Sequence, residues 1–414
     1  MNERRVMMIQ QGARRNYVYA RQLEAAGLLH SLVTDAAWPA GDEGWPTRLA
    51  LRLAPGLSGP LARRCAAGVP RCRLRASILP NLAGVAGRFM HNEMAFALSD
   101  EALAFPNRLR GLCGADIIVN YHGNGGSFLS WAKRRGAKVA TDFVITPKYL
   151  EIEQRERVIW PGWGTDKVSQ SIIDSYRARM AHIVALSDLY LCPSQSVARD
   201  LADLPGFDPT RVRLLPYGVS GVLLRQAWPE RGRVLFAGAA NLRKGIPYLA
   251  QAATLLKARR PDIEIIVTGT VTLVVRLQPL TKNLTFLGNL DRERMANEFA
   301  RADLFCLPSL AEGSATSIYE ALANGVPVVT TESSGSIVRD GVEGLIVGER
   351  DGAAIANAIV RIVEDRNMRA SMSAAALAAA EQFSDEACGR AFVNVIRELA
   401  AARSPLAHKT SSWN

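Results

Sequence analysis

Glu312 and Glu320 stand eight positions apart, and between them lie the small residues Gly313-Ser314-Ala315 and the start of an apolar, periodic run. Small side chains let a ligand approach the backbone closely. The run over residues 316–323 predicts a helix that stops at Asn324-Gly325. The first N–H groups of such a helix, at Thr316 and Ser317, lack internal partners and carry partial positive charge, so a phosphate would be held in front of them. A glycosidase carboxylate pair sits about 5–9.5 Å apart across one bond, whereas a fully helical span from 312 to 320 would rise roughly 12 Å. The spacing therefore suits two carboxylates that grip separate hydroxyl groups of one long ligand with phosphates between them. A nucleotide-sugar has that shape. The alternative is a plain βαβ unit with two surface glutamates.

The elements that must position these residues are legible on both sides. Residues 304–307 predict a buried strand stopping at Pro308, and Val326-Pro327-Val328-Val329 opens the next one. Residues 234–237 predict another strand, followed by the loop Gly238-Ala239-Ala240-Asn241-Leu242-Arg243-Lys244-Gly245 and a helix over 248–258. Residues 264–268 and 284–288 complete a strand-rich second half, the latter ending at Gly288.

The first half starts as a βαβ unit: a strand over 6–9, a loop containing Gly12, a helix over 16–26 and a strand over 30–34. Its loop lies at the carboxyl end of the first strand, where open α/β sheets bind ligands. Arg14 and Arg15 after that loop either reach a phosphate or sit on the helix surface. A strand over 116–120 leads into a glycine-rich loop, and a strand over 138–141 follows. His122 and Asp142 thus fall at the carboxyl ends of consecutive strands. Pro216-Tyr217-Gly218-Val219 reads as a linker, and residues 384–402 as a last helix.

At 414 residues two domains are expected, and 48% hydrophobic with 21% charged residues excludes a largely disordered chain. The net charge of +11 is uneven. Up to residue 216 there are 28 basic and 19 acidic residues, and the remainder holds 22 and 20. Between Glu43 and Glu93 lie eight arginines and no carboxylate. Such a patch suits an anionic lipid surface, a phosphorylated acceptor or a plain solvated face. Nucleic acid is disfavoured because no aromatic-interleaved basic motif accompanies it. Six scattered cysteines form no C-x-x-C or metal-ligand spacing, which suggests a reduced, cytoplasmic setting. No stretch of about 20 apolar residues suggests a membrane span, and the N-terminal apolar run is too short for a signal peptide.

The stretch from Glu312 through Glu320, with Ala321-Leu322-Ala323-Asn324-Gly325-Val326-Pro327 after it, resembles the Glu-x7-Glu signature of the family-4 (group 1) glycosyltransferases. The likeness extends to Arg301-Ala302-Asp303 and to residues 336–344. The resemblance implies a GT-B fold, two Rossmann-like α/β domains with parallel sheets facing a central cleft. It divides the chain into an acceptor-side domain over 1–215, a donor domain over 216–383, a helix over 384–402 that crosses back to the first domain, and a flexible tail over 404–414. It implies a retaining transferase using a UDP- or GDP-sugar and a saccharide or lipid-linked saccharide acceptor, without metal or other cofactor. Arg243 and Lys244 match the pair that contacts the donor diphosphate. Glu312 corresponds to the residue that binds sugar hydroxyls and Glu320 to the one that binds ribose. Gly12, Gly238, Gly288, Gly313, Ser314, Ala315, Thr316 and Ser317 are the expected donor-binding positions beside them. Relatives often carry a histidine beyond the strand that here ends Ala140-Thr141-Asp142; Asp142 or His122 is the candidate to stand in. Ala239 replaces a frequent arginine. These departures keep a second reading open, a nucleotide-sugar-binding protein of the same fold that does not transfer.

Overall fold

The protein was analysed as a computed structural model, which describes residues 5–35, 37–38, 64–77, 92–122, 126–164, 168–219 and 227–402. Most of the basic stretch 44–92, the middle of the glycine-rich loop at 123–125 and the tail from 404 lie outside the described residues.

The first half builds a seven-stranded sheet in the order β3-β2-β1-β4-β5-β6-β7. Its strands are β1 Arg5–Gln10, β2 Leu29–Thr34, β3 Leu74–Ala76, β4 Ala115–Tyr121, β5 Lys138–Asp142, β6 Leu189–Cys192 and β7 Val212–Leu214. All pairings are parallel. The second half builds a six-stranded parallel sheet, β10-β9-β8-β11-β12-β13. Here β8 is Arg233–Ala237, β9 Glu264–Thr268, β10 Leu284–Gly288, β11 Leu304–Leu307, β12 Val328–Thr330 and β13 Gly344–Ile346. Strands such as Val-Leu-Phe-Ala at β8 and Leu-Phe-Cys-Leu at β11 are apolar throughout because helices cover both faces of a parallel sheet.

The chain crosses between the two sheets at Tyr217–Val219 and again at Phe383–Asp385. The crossings are hydrogen-bonded to each other: Val219 N donates to Phe383 O and Asp385 N donates to Val219 O. Ser384 caps the last helix, Asp385–Ala401, by accepting from Ala387 N. That helix lies on the first-domain helix Val18–Ala25, with Phe392 stacked on Tyr19 at 4.0 Å between ring centroids.

A third connection has no counterpart in the sequence expectations. The helix Tyr149–Ile159 starts on the first domain, where Tyr149 meets Tyr176 edge to face, and ends in the core of the second, to which Trp163 belongs. Glu156, wholly buried, accepts from Tyr248 Oη at 2.6 Å and pairs with Arg350 Nε at 2.7 Å. A buried carboxylate is tolerated only when so partnered. Among the described residues no helix is long and apolar enough to cross a membrane.

Candidate active site

Arg243 and Lys244 are 69 and 68 positions before Glu312, which both meet, yet sheet order brings them together. β8 and β11 are neighbours, so the loops at their carboxyl ends emerge about 4.8 Å apart. The loop after β8 tightens at once. Asn241 accepts from Lys244 N at 3.0 Å and so caps the short 3₁₀ turn Leu242–Lys244. The two loops are then stitched together: Leu310 N donates to Arg243 O at 2.8 Å, and Arg243 Nη1 donates to Ala311 O at 2.7 Å. Lys244 lays its stem over Gly238, where a Cβ would stand 3.1 Å from Lys244 Cδ. Gly238 also has φ +146°, which side-chain-bearing residues rarely adopt.

Both cations converge on one oxygen. Glu312 Oε1 lies 2.8 Å from Arg243 Nη1 and 2.6 Å from Lys244 Nζ. Burial pushes the Glu312 carboxyl up, but Lys244 and Arg243 outweigh it and hold its pKa below the ordinary glutamate value. The loop beyond is fixed by backbone bonds: Glu312 N donates to Ser333 O and Ala315 N to Ser334 O. Gly313 sits where the two domains touch. A Cβ there would collide with the Val144 carbonyl, just beyond β5 of the first domain.

The helix Thr316–Ala323 has the bounds expected of it, with Asn324 as its C-cap and Gly325 at φ +65°. Ala315, its N-cap, supplies no side-chain hydrogen bond, and no acidic residue occupies the first turn. Neither the N-cap nor the first turn therefore supplies a side chain that neutralises this positive end at Thr316 and Ser317. Ser314, expected to contact the donor, shares a 2.6 Å hydrogen bond with the buried hydroxyl of Tyr319. Glu320 lies one turn from the helix end; burial raises its pKa, and among the described residues its carboxylate has no ion-pair partner.

Other expected positions do not join this cluster. Gly288 closes β10 on the outer edge of the sheet, three strands from β11, where its carbonyl accepts from Gly269 N. Gly12 is on the first sheet, and its N–H is occupied by Asp35 Oδ1 at 2.9 Å. Asp142 does lie at the carboxyl end of β5, but it is only 2% exposed and accepts from Tyr217 Oη at 3.3 Å. His122 N donates to the Asp142 carbonyl, and the His122 ring stacks on Phe143 at 5.8 Å. Of the two alternatives for Arg15, phosphate ligand or helix surface, the second is overturned, because its side chain is largely buried. Arg15, Asn16 and Tyr17 adopt φ of +47°, +49° and +58° in succession. This left-handed run turns the Arg15 guanidinium inward, 2.6 Å from Asp385 and over the rings of Tyr19 and Tyr217.

Asn241, Tyr217, Tyr319 and Glu156 do not stand out in the sequence as site residues. Asn241 has a usable signal, an Asx residue three positions before the turn residue it caps. Tyr217 is visible only as part of a linker motif. Among the described residues no group of three His, Cys, Asp or Glu side chains comes together as a metal-ligand set.

The family described as Glycosyl transferases group 1 matches residues 231–365. A phosphatidyl-myo-inositol mannosyltransferase of Mycolicibacterium smegmatis is 30% identical over 260 residues, which cover 60% of this chain and 62% of that protein. A GDP-mannose-dependent monoacylated alpha-(1-6)-phosphatidylinositol monomannoside mannosyltransferase of Corynebacterium glutamicum is 27% identical over 258 residues, 56% of this chain and 68% of its own. The chain thus spans about 62% of the length of the first of these relatives. The Anabaena protein HepE, solved in complex with UDP and glucose, superposes with a TM-score of 0.60 at 15% identity, covering 95% of this chain and 100% of that one. At that identity the likeness is one of fold. Residues 231–365 match the group 1 glycosyltransferases, and the two parallel-sheet domains of the chain have the GT-B fold.

Proposed function

We propose that the protein transfers a sugar, with retention of anomeric configuration, from a nucleoside-diphosphate sugar to a hydroxyl acceptor. The observation that carries this reading is the meeting of Arg243 and Lys244 on Glu312, four residues before the uncapped start of helix Thr316–Ala323. In the reaction the bond between the anomeric carbon and the β-phosphate oxygen breaks, and its electron pair stays on the phosphate. Arg243, Lys244 and the Thr316 and Ser317 N–H groups stabilise that growing negative charge, commonly the largest contribution an enzyme makes. The acceptor oxygen bonds to the same face of the sugar, and its proton passes to a phosphate oxygen of the leaving group. Glu312 holds sugar hydroxyls and Glu320 the ribose. Two fixed cations supply the positive charge, so the reading requires no metal.

UDP and GDP are the candidate leaving groups, because HepE was solved with UDP and the Corynebacterium relative uses GDP-mannose by name. The relatives' names favour an inositol-bearing or lipid-linked acceptor. We therefore favour glycolipid or surface-polysaccharide synthesis, with peripheral association at the inner face of the membrane. The burial of Asp142, one of whose oxygens accepts from Tyr217 Oη, favours a second reading, a protein that binds the donor without transferring it.

Calorimetric titration of UDP, GDP and ADP, with chelator present, tests the first reading. One of UDP and GDP is expected to bind in the micromolar range, roughly −8 kcal/mol, and Glu320→Ala is expected to lose that binding. No binding by any of the three would end both readings. Donor binding without sugar transfer to any inositol, lipid-linked or saccharide acceptor would favour the second.

A further inference from the structure

We propose that Glu312 occupies the anion site when no donor is bound, and that the donor diphosphate displaces it and so turns its carboxylate toward the sugar. The proposal rests on the donor reading above and assigns that site a built-in exchange.

The two cations do not need Glu312 to stay in place. Arg243 is pinned by its bond to Ala311 O and by the Leu310 N–H on its own carbonyl. The Lys244 backbone is held by the Asn241 cap, and its stem lies on Gly238. Among the described residues, Glu312 has no ion-pair partner besides these two cations. Its side chain extends from a loop whose next three residues are Gly313, Ser314 and Ala315. Its Oε1 is buried and stands within ion-pair distance of both cations, yet it completes no aligned hydrogen bond to either. Charge rather than direction holds it there.

A diphosphate carries more negative charge than one carboxylate and can take both cations and the helix N–H groups together. It cannot share the buried site with an ionised Glu312, because two anions at contact distance repel strongly away from water. The cations keep the carboxyl ionised, as its lowered pKa reflects, so Glu312 leaves by rotating rather than by taking up a proton. A carboxylate released in this way needs hydroxyl donors, and the sugar attached to the diphosphate supplies them. After transfer the sugar is gone. Glu312 then returns to Arg243 and Lys244 and competes with the nucleoside diphosphate, which favours product release.

The test compares UDP and GDP with UDP-glucose and GDP-mannose, each titrated into wild type, Glu312→Gln and Glu312→Ala. Thermal melting of each variant confirms that it is folded. Whichever diphosphate the wild type binds is expected to bind both variants roughly tenfold more tightly, since the competing charge is gone. The matching nucleotide-sugar is expected to gain less than its diphosphate or to weaken, and transfer is expected to be lost. Folded variants that bind the diphosphate no more tightly than wild type would overturn the exchange. So would variants in which diphosphate and nucleotide-sugar gain equally. A wild type that binds neither UDP nor GDP would instead bring down the donor reading itself, and the exchange with it.

Discussion

The carboxyl edges of the two sheets are built on the same plan and used differently. On the second sheet, Arg243, Lys244 and Glu312 meet one another beside a helix start that no side chain caps. On the first, three of the groups expected there have partners within the chain: Arg15 pairs with Asp385, Gly12 N–H donates to Asp35, and Asp142 accepts from Tyr217. Charge at the end of a parallel strand therefore does not by itself mark a ligand site. What separates the two edges is whether removing a partner leaves a neighbouring group that only a ligand can satisfy.

That contrast can be broken by measurement. The largest expected effect is on the second edge. Lys244→Ala should lower the rate of sugar transfer by about 10²–10³-fold, the scale of losing one preorganised charge at a leaving group, while the melting temperature stays near wild type. Steady-state kinetics beside thermal melting reads both. A variant that melts early but transfers normally would make Lys244 structural and erase the distinction.

Arg15→Ala should behave in the opposite way. It leaves Asp385 buried without its cation, and breaking such a pair costs about 3–5 kcal/mol of stability. Denaturant unfolding should register that loss, while affinity for the bound nucleotide is unchanged in the fraction that remains folded. Weakened nucleotide binding with full stability would move Arg15 into the donor site.

The smallest and sharpest effect lies within the second edge, where the two glutamates are predicted to respond to pH with opposite signs. Burial raises the Glu320 pKa above 4.5. The folded protein therefore holds that proton more tightly than the unfolded chain, and stability declines as pH rises through the interval between the two values. Glu320→Gln removes this penalty and should melt above wild type at neutral pH. For Glu312 the folded pKa lies below 4.5. Its stabilising contribution is present at neutral pH and is lost as pH falls through the lowered value, so Glu312→Gln should melt below wild type at neutral pH. Melting curves of the ligand-free proteins from pH 4 to 8 decide it, and shifts of the same sign in both variants would refute the assignment.

The second edge is the more legible in sequence because its signals are local. Proline after a strand, small residues in a loop and Asn-Gly after a periodic run are enough to set the bounds of Thr316–Ala323. Strand adjacency is less accessible, yet the family resemblance links Arg243 and Lys244 to Glu312. The first edge resists because its decisive features are not written in residue type. No sequence rule predicts three consecutive left-handed residues without glycine, and that run is what turns Arg15 away from solvent. Glu156 is illegible for another reason. Its partners, Tyr248 and Arg350, lie 92 and 194 positions later, and nothing near residue 156 announces that a carboxylate there will be fully buried.

The helix Tyr149–Ile159 also has a history during synthesis. It leaves the ribosome with the first domain, but the aromatic and ionic partners of its far end belong to the second. Between Glu156 and Arg350 the ribosome must add 194 residues, roughly 10–40 s at ~5–20 residues per second. For that interval Trp163 has no core to enter and Glu156 remains in water. The first domain must therefore complete its sheet with one of its own segments unattached, and the two tryptophans at the far end of that segment, Trp160 and Trp163, wait for the second domain's core to arrive.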